Sequence, residues 1–476
     1  MTDSPARLDP SPPARTKRRQ VARFVVRALK VGVALLVAVS PFIWWSYIHD
    51  ESPADDADLL VSTPAIPDGQ NGYVQLTRLP AKSLSPIDYV GEDGHAEVLG
   101  DYAGGPDNDD IKLVDAFLAQ ARPALVPLDD ILASPYFHYV GNESVFYDRN
   151  TRSISFATED LARSAMRYEQ GGNLSGAVDE VVRLRLLASR LAETGGPAYN
   201  LAREAGFLAD DRSASLLNER ALTAAAQSTL AQAYGVEIPW LQARQQILPY
   251  QYQQFIGLIN FLKSSPWTAF DLERGFTTSL HGMNALDFWT KVTLKENTTR
   301  RLAAPMIRAA REALNGPYAA IPPDTDSFPH RLMDLLEPNF GGAYLMDMSV
   351  AFSASRQSLG FAYEDLASDR LIQTGLAVRR YFDEHRALPP ALDALVPQFA
   401  SAVPLDPFDD KPLRYDATQG LLYSMGASLK DQGGSDLIRR PPDPSRGESP
   451  LGDHNQPTLV LKFQNALPVS TATTPP

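Results

Sequence analysis

Hydrophobic and polar positions follow three different patterns along the chain. The first is an uncharged apolar run from Val31 to Ile48, reading VGVALLVAVSPFIWWSYI. At a helical rise of 1.5 Å per residue it reaches about 27 Å, close to the roughly 30 Å of a bilayer hydrocarbon core. It predicts a membrane-spanning helix. Pro41 is tolerated in such a helix, and Trp44, Trp45 and Tyr47 fit an interfacial aromatic belt.

The second pattern has helical spacing. Ile111, Val114, Phe117 and Leu118 recur every three or four residues until Pro123 and Pro127, where the series is expected to break. Aromatic residues between Tyr136 and Phe156 suggest a short hairpin or an aromatic plug. Leu161, Ala165 and Tyr168, then Gly171-Gly172-Asn173, then Ala177, Val181, Leu184, Leu187 and Leu191 read as helix, tight turn, helix. Further helical blocks are predicted from Tyr199 to about Tyr234, from Ile238 to Leu262, and at about 284–314, 328–337 and 344–386. No sustained 34-residue repeat emerges, so the array is irregular.

The third pattern follows Pro389-Pro390, where helical spacing gives way to turns and short alternation. Pro404 and Pro407 stiffen the entry to a sharp turn, and the Asp residues around it can bond neighbouring amides. Leu413 and Tyr415 are expected to pair with Ser424 and Leu422 across a loop over 416–420, and Thr458 to Phe463 could add an edge strand. Such a sheet would pack on the preceding long helix as an α+β unit.

The predicted fold is therefore mainly α. Its parts are a basic tail over 1–30, a transmembrane helix over 31–48, and a tether with an irregular segment over 49–110. A helical domain over 111–345, a long helix plus α+β module over 346–465, and a disordered tail over 466–476 complete it.

Charge supplies orientation. Positions 1–30 hold eight Lys or Arg against Asp3 and Asp9, whereas Asp50, Glu51, Asp55, Asp56 and Asp58 follow the apolar run. The positive-inside rule places the N-terminus in the cytoplasm and the remainder outside it. A cleaved signal peptide is the alternative. The long basic region and the bulky end of the run, with no Ala-x-Ala-like site, favour an uncleaved anchor. Taking those ten charges from the totals of 44 basic and 57 acidic residues leaves −19 beyond residue 30. A surface that acidic repels nucleic acid, so no nucleic-acid partner is expected. The chain has no cysteine, which removes disulfides, thiolate nucleophiles and cysteine metal sites. The expected setting is a bacterial inner membrane, with residues 31–48 in the lipid bilayer and the C-terminal bulk in the periplasm.

The C-terminal stretch carries Tyr381-Phe382-Asp383-Glu384-His385, then Leu405-Asp406-Pro407-Phe408, Leu413-Arg414-Tyr415, Tyr423-Ser424-Met425-Gly426 and a Gly- and Asp-rich loop over 430–437. Over about 365–440 it resembles the C-terminal part of the major pseudopilin of type II secretion, and the layout resembles bacterial single-pass membrane proteins carrying that module. The apolar run near Val31 lacks the Glu of a pseudopilin membrane helix, so processing and pseudopilus assembly are not implied. The resemblance does imply a calcium loop after the Tyr-Ser-x-Gly strand. Asp431 and Asp436 fall at the matching positions, and backbone carbonyls or waters would complete the six to eight oxygens calcium takes.

Catalytic signatures are missing. There is no Gly-x-Ser-x-Gly elbow, no His-Glu-x-x-His, no phosphate loop and no dinucleotide fingerprint, and the seven histidines are scattered. Glu364-Asp365 and Asp383-Glu384 are helical neighbours that point about 100° apart. Tyr250, Tyr252 and Phe255 read as core, although a sugar- or peptide-binding groove could use the same residues. The expected function is a non-enzymatic envelope scaffold with an envelope protein partner. The alternative is an anchored hydrolase or carbohydrate-acting enzyme, which would require acidic or histidine side chains converging in a deep pocket.

Overall fold

A computed structural model describes residues 30–33, 37–42, 45–47, 49–62, 64–80, 108–140, 151–219, 221–264, 285–324, 337–434 and 457–461. In chain order the helices are α1 (Lys30–Tyr47), α2 (Gly72–Thr77), α3 (Asn108–Leu125), α4 (Leu128–Leu132), α5 (Arg152–Gln170), α6 (Leu174–Thr194), α7 (Ala198–Asn218) and α8 (Ala224–Tyr234). They continue as α9 (Trp240–Ser264), α10 (Ala285–Thr293), α11 (Glu296–Ala313), α12 (Phe340–Met346), α13 (Phe352–Ala354) and α14 (Arg356–His385). A π-helical turn, Asp347–Ala351, joins α12 to α13. The strands are β1 (Arg414–Asp416), β2 (Leu421–Tyr423) and β3 (Thr458–Val460).

Helix α1 is long and apolar enough to cross a membrane, and none of it is buried in the protein. Val31, Phe42 and Trp45 are more than half exposed. The chain divides into two compact units. The smaller takes in Met1–Ala54, Pro266–Thr299 and Pro329–Tyr344. Within it, Asp50 accepts hydrogen bonds from the backbone N–H of Asn297 (2.9 Å) and Thr298 (3.0 Å), capping the first turn of α11 from a distant point in sequence. Burial works to raise the Asp50 pKa, but those two amides together with the Glu51 N–H and the Thr298 hydroxyl outweigh it and hold the carboxyl below its ordinary value. Lys295 also donates to the Ser46 carbonyl, next to the end of α1.

The larger unit comprises Asp55–Ser265, Arg300–Phe328 and Leu345–Pro476. Its centre is α5, α6, α7 and α14. The α5–α6 turn forms as its sequence requires. Gly172 takes φ +75°, and the Asn173 side chain accepts from Gly176 N at 3.1 Å to start α6. Apolar side chains gather in two clusters. One joins α2, α4, Phe137 and Tyr139 to α5, α6, α7, α9 and the first turns of α14. The other joins the α5–α6 turn region, the end of α7, α8 and the rest of α14 to Leu392, Leu395, Leu413, Leu422, Leu459 and Leu461. The C-terminal module thus shares its core with the helical array.

The sheet has the order β1-β2-β3 and is antiparallel throughout. Tyr415 faces Leu422, and Arg414 faces Tyr423, which is the register expected for the hairpin. The sheet packs on α14, where Gly375 leaves room for Leu459: a β-carbon there would come within 2.5 Å of the Leu459 Cδ2.

Several helical boundaries differ from expectation for local reasons. Pro123 lies inside α3, which runs on to Leu125. The block from Tyr199 breaks at Glu219–Thr223, where the Thr223 hydroxyl caps α8 by accepting from Ala226 N. The segment near 284–314 is two helices, and the segment from 344 is interrupted by the π turn and by Ser355, whose hydroxyl caps α14 by accepting from Ser358 N at 3.0 Å. Residues 136–140 form the aromatic plug, with Phe137 and Tyr139 buried, while Ile154 and Phe156 are helical. The helix expected at 328–337 lies almost wholly outside the described residues.

Candidate functional site

The module is organised around Asp406, which is fully buried. Its Oδ1 accepts from the Ser424 hydroxyl (2.9 Å) and Phe408 N (3.1 Å), and its Oδ2 from Met425 N (2.6 Å) and Arg414 Nη1 (2.7 Å). A carboxylate with four donors is fully satisfied. It ties the Asp-Pro-aromatic turn to the Tyr-Ser-x-Gly strand. Arg414 also grips Asp409 at 2.6 Å. Burial works to raise the Asp409 pKa, and the Arg414 contacts reverse the sign and lower it. Asp431 Oδ1 accepts from the Tyr423 hydroxyl (3.1 Å) and Gly433 N (2.9 Å). Asp436 lies outside the described residues. No group of three or more His, Asp or Glu placed to hold a metal occurs among the described residues.

A second set of charges is buried between the two apolar clusters, and the sequence reading missed it. Arg185 of α6 holds Asp369 of α14 through contacts of 2.7 and 3.1 Å, and each side chain is 3 % exposed. The Trp240 indole donates to Asp369 at 3.0 Å. Arg185 lies over the Tyr234 ring at 3.8 Å, and the Tyr234 hydroxyl donates to Asp210 at 2.7 Å. Burial and then the nearby Asp369 charge push the Asp210 carboxyl well above its usual range, although Arg185 opposes this. Burial likewise raises Asp369 against the pull of Arg185. On α7 these groups fall between Ala209 of one cluster and Ala214 of the other. On α14, Asp369 falls between Leu366 and Leu371. The layer is a structural seam, with its charges directed at each other.

The adjacent carboxylates noted in the sequence are similarly employed. Asp365 accepts from Arg203 Nε at 2.5 Å, Asp383 from Gln227 Nε2 at 2.7 Å, and Glu384 from Gln398 Nε2 at 3.0 Å. Tyr252 and Phe255 are core residues, and the Tyr252 hydroxyl donates to Asp56 at 2.5 Å.

Two large cavities occur in the larger unit. One, of about 550 Å³, lies between α14 and the segment over 392–405. Arg370 and Arg380 bridge its walls, donating to the carbonyls of Leu405 and Phe399 at 2.8 and 2.7 Å. The other, of about 500 Å³, lies between the start of α7, the middle of α9 and the π turn. Its walls are Tyr139, Tyr250, Met348 and Phe352 together with Asn200, Gln251, Gln254, Ser349 and Ser353, and its described lining contains no Asp, Glu, His, Lys or Arg. Tyr250, singled out from the sequence with Tyr252 and Phe255, lines this cavity. Both cavities are in the size range of small-molecule sites.

Compared with known proteins, the chain matches no family model, no curated protein and no solved structure.

Proposed function

We propose that the protein is a single-pass, membrane-anchored scaffold of a bacterial envelope, with its N-terminus in the cytoplasm and its helical domain and C-terminal module in the periplasm. The observation that carries this reading is α1. It is an apolar helix that is not buried, with seven basic residues before it, Lys30 at its start and a run of acidic residues after it. The non-enzymatic character is supported by where the ionisable groups go. Arg185 and Arg203 are paired with Asp369 and Asp365, Arg379 donates to the Leu217 carbonyl, and the second cavity is lined by neutral side chains among the described residues. The module, held by Asp406, is the surface offered to an envelope partner, in the manner the pseudopilin resemblance suggests.

Two experiments test the reading. The full chain should sediment with membranes and stay there after an alkaline wash, and a Leu35→Asp/Leu36→Asp variant should be released; a wild-type chain found in the wash would remove the anchor. The same reading includes calcium held by Asp431 and Asp436. The Tyr423 and Gly433 contacts fix one oxygen of Asp431, so a bound ion would draw further oxygens from the loop. Millimolar calcium should raise the melting temperature of the full chain, and Asp431→Ala should abolish the rise. An unchanged wild-type melt removes calcium from the account.

A further inference from the structure

We propose that the 500 Å³ cavity between α7, α9 and the π turn binds a neutral mono- or disaccharide unit. The cavity lies within the larger unit, so the inference holds whether or not α1 is in a membrane.

The lining specifies the ligand's chemistry. With no charged side chain among the described walls, an anionic or cationic ligand would leave its charge unmatched on entering. Asn200, Gln251 and Gln254 each present an amide, which offers acceptor and donor side by side, the pattern that vicinal hydroxyls require. Gln251 Oε1 is buried and has no hydrogen-bond partner among the described residues. A wholly apolar ligand would leave it so, whereas a sugar hydroxyl would satisfy it.

The same lining carries aromatic rings. The Tyr139 and Tyr250 rings meet edge to face, with centroids 5.9 Å apart and planes at 86°. Tyr250 is seated on the Gly195-Gly196 turn, where both glycines have positive φ and a β-carbon on Gly196 would come within 3.3 Å of both rings. The two rings are therefore packed closely on the turn. Phe352 and Met348, 45 % and 54 % exposed, stand at the rim. A pyranose has an apolar C–H face and a hydroxyl edge, which complement a lining that offers both rings and amides. The π turn places Met348 and Ser349 on the cavity and α13 adds Phe352 and Ser353, where Arg244 donates to the Ser353 carbonyl at 2.8 Å. Single π turns recur at functional sites.

The test uses the full chain in a detergent without a sugar headgroup. Glucose, galactose, N-acetylglucosamine, maltose and cellobiose are screened by saturation-transfer NMR and titration calorimetry, with glucuronate and adenosine as comparators. At least one neutral sugar should bind with a Kd of about 1 mM or tighter. Gln251→Leu should weaken it by about tenfold or more while the melting temperature holds or rises, because the substitution removes a buried orphan acceptor. Should that variant fail to fold, Asn200→Ala, at an exposed position, gives the same reading. The proposal is overturned if none of the five sugars binds at about 10 mM, if the variants bind as the wild type does, or if glucuronate or adenosine binds more tightly than every neutral sugar.

Discussion

Buried charge is where single residues matter most in this molecule. Arg185 and Asp369 sit between two apolar clusters, and neither cluster can accommodate one without the other. Asp369→Ala should cost about 3–5 kcal/mol in denaturant unfolding, because it leaves a buried guanidinium uncompensated. The Arg185→Met/Asp369→Leu double variant should recover most of that loss. Asp160 gives a prediction in pH. Burial raises its pKa from 3.8 to about 6, and Arg163 only partly opposes this. A carboxyl with a raised folded pKa favours the native state while protonated, below about 3.8. That contribution is lost as pH climbs toward 6. Asp160→Asn should therefore be more stable than wild type at pH 8, by on the order of 1–3 kcal/mol, with the gap closing toward pH 4. Neither Arg185 nor Asp369 was legible in the sequence. A lone charge inside an apolar stripe looks like a helix-edge residue until the partner helix, 184 residues away, is in place.

At the scale of elements, what was legible was local. The hairpin register followed from alternation and a glycine-ended loop, and the α5–α6 turn from its Gly-Gly-Asn. Helix interruptions were harder, because Ser355 breaks a continuous apolar pattern through a cap rather than through Gly or Pro. Ser355→Ala should cost about 1 kcal/mol, read as a shifted urea midpoint with an unchanged slope. The Asp-Pro-aromatic turn depends far more on one side chain. Asp406→Ala leaves four donors without an acceptor, and hydrogen exchange should show lost protection at the Phe408 and Met425 amides, with about 3–5 kcal/mol lost locally. Protection retained there would show that the turn stands on its backbone alone. The cavity could not be read beforehand, because its walls come from five separated segments, only one of which, around Tyr250, stood out as a candidate binding surface.

For the whole molecule, the apolar patterning gave the helical class and the presence of a small sheet, but not how they share a core. Helix α14 and the module complete the second apolar cluster, so residues 111–345 expressed alone should show no cooperative melt, and the chain from 55 onward should unfold its helices and sheet together. A cooperative transition for 111–345 would contradict the shared core. Placement relative to a membrane rests on different physics, namely an exposed greasy helix and the charges beside it. The most direct measurement is a pair of dual-reporter fusions, one after residue 20 and one after residue 60, each carrying an enzyme active only in the cytoplasm or only beyond the membrane. The account predicts cytoplasmic activity at 20 and external activity at 60. Cytoplasmic activity at both positions would contradict it.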